Sequence, residues 1–206
     1  MININEIVMS PTQQYLLIHK TGCTTVVKGL RALYGEENVF MGPQPVLGGG
    51  PLWTTVRDPY SRFISGLAYD ISRSLGPEHF SSLHNLRGFI RGSFNPSKYL
   101  SPYVHPEYRK EGRVKHAIPQ VYYLYNCPID VAVRTEELDL FCQVHFGTTI
   151  LENKGSSKEQ EMLKSVIEED EVLHSSILHL LEADYQLLDY LDREGKLWRW
   201  AEGKVF

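Results

Sequence analysis

The chain has 206 residues, 42% hydrophobic and 22% charged, with a formal net charge of −4. That is enough for one domain with a full core, so a single domain over 1–206 is expected. The mildly acidic balance excludes a broad basic footprint for nucleic acid, and any anion site must be local. The early apolar run "YLLI" is far too short to span a membrane. No charged and then apolar leader opens the chain. The three cysteines, Cys23, Cys127 and Cys142, are too few and too scattered for a disulfide framework or a metal cluster. A soluble, cytoplasmic protein is the expectation, with neither membrane nor nucleic acid as partner.

In chain order, "YLLIHK" (15–20) reads as a short buried strand ended by Gly22. "TTVVKGLRALYG" predicts a helix with Val26, Val27, Leu30 and Leu33 on its apolar face and Gly35 as its stop. "LWTTV" (52–56) predicts a second buried strand. "RDPYSRFISGLAYDISRSL" then opens a helix, with Asp58 as N-cap and Pro59 at the first helical position. Phe63, Leu67 and Ile71 follow at four-residue spacing on its buried face. "DVAV" (130–133) is a third strand, "TEELDLFCQVHF" a helix, and 157–191 two helices. Strands alternating with helices predict an α/β protein with a mainly parallel central sheet flanked by helices. Residues 91–112 and 151–160 are punctuated stretches of the kind that form binding loops.

Two stretches carry chemistry. In "HKTGCTT" a strand meets a helix through a glycine turn, which gathers backbone N–H groups suited to a phosphate or sulfate. Lys20 adds a charge; Thr21, Thr24 and Thr25 add hydroxyls; Gly22 allows close approach. The lysine precedes the glycine, whereas a nucleoside triphosphatase P-loop places it after. Taken by itself, the motif also reads as a capped helix start facing water. "VRDPYSRFISG" offers a second strand–turn–helix. There Arg57 can grip a phosphate with its planar fork and Ser65 can donate a hydroxyl.

As a pair, these motifs resemble the sulfotransferase family, in particular its Golgi carbohydrate branch. "HAIPQ" (116–120), "VAVRTEELDLF" (131–141) and "LLEADYQLLDYL" (180–191) are weaker likenesses to the same branch. His19 stands where the family usually has proline. The resemblance implies a P-loop-like α/β fold and 3′-phosphoadenosine 5′-phosphosulfate as donor, with no metal. It implies that Lys20 stabilises the transferring group and that Thr21, Gly22, Cys23, Thr24 and Thr25 cradle the 5′-phosphate. Arg57 and Ser65 would take the 3′-phosphate, and Lys154 would lie in a loop closing over the donor.

Transfer to a hydroxyl or amine needs a proton acceptor. Residues 38–52 hold no His, Asp or Glu, so the position some family members use is empty. His116 is the first candidate and His105 the second. His84, His145, His174 and His179 lie in helical patterns and are expected to be structural, and no nucleophilic role is assigned to Cys23. The expected function is a sulfotransferase acting on a carbohydrate or another small hydroxylated acceptor. The alternatives are a P-loop-type nucleotide-dependent kinase and a catalytically silent module that binds the same donor.

Overall fold

The computed structural model describes residues 6–100, 116–124, 127–147 and 157–199. The strands are β1 (Ile7–Met9), β2 (Gln14–Leu16), β3 (Phe40–Gly42), β4 (Leu52–Val56) and β5 (Val131–Arg134). They form one sheet in the order β3-β1-β2-β4-β5. The helices are α1 (Cys23–Tyr34), α2 (Pro59–Asp70), α3 (Leu83–Ser93), α4 (Pro96–Leu100), α5 (Val121–Leu124), α6 (Leu138–Phe146), α7 (Lys158–Glu168), α8 (Glu171–Leu180) and α9 (Glu182–Arg193). None of the described helices is long and apolar enough to cross a membrane. The chain gathers into two compact units. One holds 1–57, 120–153 and 186–206; the other holds 58–119 and 154–185.

The first unit contains the sheet. β2, β4 and β5 run parallel, while β1 is antiparallel to both β2 and β3. The sheet is therefore mixed, which corrects the expectation of a mainly parallel one. The three strands predicted from sequence correspond to the parallel ones, though β2 covers Gln14–Leu16 and not the predicted 15–20, because the chain already turns at 19–22. β1 and β3 have three residues each, too few for a period of two to register. β1 returns into β2 through a turn in which Ser10 N–H donates to Gln13 O at 3.0 Å.

Strand alternation sends side chains to both faces. Tyr15, Leu17, Trp53 and Val133 pack with Val26 and Leu30 of α1 and with Leu138, Phe141 and Cys142 of α6. Leu16, Leu52, Val56 and Ala132 pack with Leu188 and Leu191 of α9 and with Ile129 and Leu197. Beyond β5, Trp198 N–H donates to Ala132 O at 2.8 Å. Trp198 is buried edge-on against Phe141, a packing anchor as its position suggests; Trp200 lies outside the described residues.

The second unit is helical. Phe63, Leu67 and Ile71 are fully buried at their predicted spacing, together with Leu86, Leu163, Ile167, Ile177 and Leu181. Asp58 caps α2 by accepting from Ser61 N–H at 2.7 Å. Ser82, Ser157 and Asp170 cap α3, α7 and α8 in the same way. The region predicted as two helices is three. Asp170 starts α8, and the chain re-enters helix after Leu181. The apolar spacing from Ile177 to Leu181 runs through that break, so periodicity alone does not show it.

Two threonines in the centre of β4 are wholly buried, and hydrogen bonding explains why they are tolerated. Thr54 Oγ1 donates to Leu16 O at 2.7 Å. Thr55 belongs to a chain of hydroxyls whose directions follow from donor counting. Thr21 Oγ1 donates to Ile18 O at 2.8 Å, which uses its only proton. Thr55 must then donate to Thr21 across 2.7 Å, and Tyr15 Oη must donate to Thr55 across 2.6 Å. Burial pushes the Tyr15 phenol pKa well above its usual value, which keeps the proton this chain requires.

Thr55→Val is isosteric but removes the middle of the relay. It is expected to destabilise the protein by about 1–3 kcal/mol, because buried hydroxyls on both sides lose a partner. Urea denaturation with an unchanged m-value measures this.

Candidate functional site

In the first unit, the chain leaves β2, passes Leu17 and Ile18, and turns through residues 19–22 into α1. Lys20 has φ 66°, and among the described residues it is the only non-glycine with a positive φ. Gly22, the N-cap of α1, has φ 90°. Two residues of positive φ thus flank Thr21, and left-handed residues in tight turns are a usual ingredient of anion-binding concavities. Placing a lysine in the left-handed region costs about 1–3 kcal/mol, and such strain clusters at functional sites. α1 has no side-chain cap, unlike α2, α3, α7 and α8, and no acidic residue in its first turn. Its positive dipole end is left for something other than its own side chains.

The surroundings hold this turn rigidly. Thr135 Oγ1 lies 3.0 Å from Val56 O and 3.2 Å from Thr21 O, and its one proton, shared between the two carbonyls, ties the turn to the end of β4. A Cβ on Gly22 would lie 2.9 Å from Leu138 Cδ2, so α6 closes the space behind it. Thr21 is completely buried with its hydroxyl turned inward, leaving its backbone for the cradle. Thr24 is exposed, while Cys23 and Thr25 are half-buried. The Cys23 thiol accepts from Lys20 N–H, yet burial outweighs this and raises its pKa. A thiolate nucleophile is disfavoured there.

Arg57 follows the last residue of β4, the parallel neighbour of β2. Its backbone is clamped by Gln120, a fully buried side chain. Gln120 Oε1 accepts Arg57 N–H at 2.9 Å, and Gln120 Nε2 donates to Arg57 O at 2.9 Å. One amide thus imitates a β partner and extends the ladder by a residue. Arg134 ends β5, paired opposite Val56. Lys20, Arg57 and Arg134 therefore lie at or beyond the carboxyl ends of three adjacent parallel strands, where open α/β sheets bind ligands.

The second unit holds the remaining candidates. Ser65 is buried on α2 and receives Gln160 Nε2 at 3.4 Å. Arg62 on the same helix is fully buried. His116 Nδ1 lies 2.8 Å from Asp70 Oδ1, with the histidine 20% and the aspartate 3% exposed. A carboxylate only accepts, so Nδ1 carries a proton in this pair. The Tyr69 ring lies 4.4 Å from the imidazole, centroid to centroid. Gly66 makes the approach possible: a Cβ there would sit 2.3 Å from His116 O. Just past Asp70, α2 widens into a π-helical turn over Ile71–Leu75, a distortion frequent at functional sites.

The chain matches no protein-family model, no curated protein and no solved structure. The site therefore stands on its own residues. Lys20, Gly22 and the start of α1 come together in the first unit, with Arg57 at the neighbouring strand end; Ser65 and His116 belong to the second unit. His105 and Lys154 lie outside the described residues. Sequence reasoning missed Gln120, Thr135, Asp70 and Gly66. Gln120 and Thr135 stand inside stretches already singled out, "HAIPQ" and "VAVRTEELDLF". Asp70 follows Gly66 at the i+4 spacing that stacks side chains on one helix face, a usable signal once His116 was a candidate.

Two outcomes test the His116 arrangement. Asp70→Asn is expected to shift the ring toward the Nε2–H tautomer, read from imidazole ¹⁵N chemical shifts. Gly66→Ala is expected to lower stability by about 1–3 kcal/mol, because overpacking against His116 O outweighs the helix-propensity gain of alanine. Thermal melting checks the second.

Proposed function

We propose that this chain is a sulfotransferase that moves a sulfuryl group from 3′-phosphoadenosine 5′-phosphosulfate to a hydroxyl or amine. A carbohydrate hydroxyl is the first acceptor class to test. The observation that carries the reading is Lys20. It is held in a strained backbone between a parallel strand and an uncapped helix start, with Arg57 after the adjacent strand. A lysine at the mouth of an uncapped helix start suits a reaction that runs mainly on positioning and electrostatics.

In this reading the acceptor oxygen bonds to sulfur as the bond from sulfur to the bridging phosphate oxygen breaks. The electron pair departs with 3′-phosphoadenosine 5′-phosphate, and Lys20 neutralises the charge growing on that bridging oxygen. The backbone from Gly22 to Thr25 holds the 5′-phosphate. Arg57 takes the 3′-phosphate through its fork and so distinguishes this donor from plain nucleotides; the family resemblance, and no distance, assigns Ser65 to the same phosphate. His116 Nε2 receives the acceptor's proton, and Asp70 stabilises the imidazolium that results. His105 is the second candidate for that role.

3′-Phosphoadenosine 5′-phosphate at a hundredfold excess over its Kd is expected to raise the melting temperature by roughly 5–10 °C. AMP and ATP should do less, and Arg57→Ala should erase the difference. Lys20→Ala should lower sulfuryl transfer by about 100-fold or more, assayed by release of 3′-phosphoadenosine 5′-phosphate over a panel of glycans. Equal stabilisation by ATP, with no gain from a 3′-phosphate, would overturn the reading in favour of a kinase.

A further inference from the structure

At the other end of β2 and β4, the first unit encloses a cavity of about 240 Å³ lined by Thr12, Gln13, Tyr34, Pro51, Trp53, Phe141, His145 and Phe146. Gln13 precedes β2 and Trp53 lies near the start of β4, so roughly 10–15 Å of strand separates the cavity from Lys20 and Arg57.

The walls are mainly aromatic and interlocked. The Trp53 ring lies 4.9 Å from Phe141 and 5.9 Å from Phe146, and Phe141 lies 4.4 Å from His145, all by centroid. The polar groups behind them are already engaged. Trp53 Nε1–H donates to Gln13 Oε1 at 2.6 Å, and Gln13 Nε2 donates to Tyr34 Oη at 3.1 Å. Thr12 Oγ1 lies 2.8 Å from the same phenol. These bonds fix the rings in place, so the cavity is preformed. Burial holds the His145 pKa below its ordinary value, so the ring is neutral at pH 7. The lining therefore presents no formal charge, and a charged guest would shed its water without a counter-ion.

The geometry points to a second binding site, for a small uncharged planar aromatic molecule of one or two rings, of the phenol or indole class. Size supports that class, since an apolar cavity of about 150 Å³ already holds benzene. Rings at these walls gain offset or edge-on contacts. The site is independent of the anion cradle, because its chemistry is neutral and its place is the opposite end of the strands.

Titration of the full chain with indole, phenol, benzoate and benzylammonium, followed by calorimetry, tests this. Indole or phenol is expected to bind saturably with Kd on the order of 0.1–1 mM, and the charged compounds at least about tenfold more weakly. Thr12→Trp, a change at an exposed lip residue, should block the cavity. It should weaken indole by about tenfold or more while leaving stabilisation by 3′-phosphoadenosine 5′-phosphate unchanged. In the unmodified chain, nuclear Overhauser contacts from bound indole to the Trp53 and Phe146 rings should locate the guest, whether or not the variant folds. No saturable binding, equal binding of benzoate, or contacts only to rings outside the cavity lining would each refute the site.

Discussion

The hydroxyl relay from Tyr15 through Thr55 to Thr21 and the Ile18 carbonyl is the constraint on which the first unit's chemistry depends. It runs from β2 to β4 and back to the turn, entirely inside the core. Its one-way proton order leaves a single consistent arrangement, so the turn has one place to sit. Lys20 adopts a left-handed backbone because the residue beside it is anchored from below by this relay and from the side by Thr135. Strain at one position is offset by satisfied polar groups at its neighbours.

The same logic recurs at the strand ends. Backbone that runs past a sheet loses its ladder partner, and buried backbone polar groups must find another. Gln120 supplies that partner to Arg57, and Thr135 supplies it to Val56 and Thr21. In the second unit Asp70 plays a comparable role for an imidazole, and Gly66 clears the space. Arg57 and His116 are thus seated by the buried Gln120 and Asp70, and the Lys20 turn by the half-buried Thr135.

What was legible in the sequence follows from these facts. "YLLIHK", "LWTTV" and "DVAV" were readable because buried parallel strands are short continuous apolar runs. "IVM" and "FMG" were not, because three residues establish no pattern, and with them went the mixed character of the sheet. Asp58 and Pro59 announced α2 through local chemistry, and α2 starts there. Lys20, Gly22 and Arg57 were visible because unusual residues stood at strand–helix junctions. Gln120, Thr135 and Asp70 were hidden because each acts on a partner far along the chain: Gln120 on Arg57, Thr135 on Thr21, and Asp70 on His116. A single sequence carries no record of such pairings.

Lys20 has one further consequence. Its backbone conformation suits glycine or asparagine better than lysine. Glycine there would relax the turn. A library of this protein selected only for heat resistance would therefore be expected to replace Lys20 early. If Lys20 acts as proposed, a library selected for sulfuryl transfer would keep it, so the two selections would part at this one position.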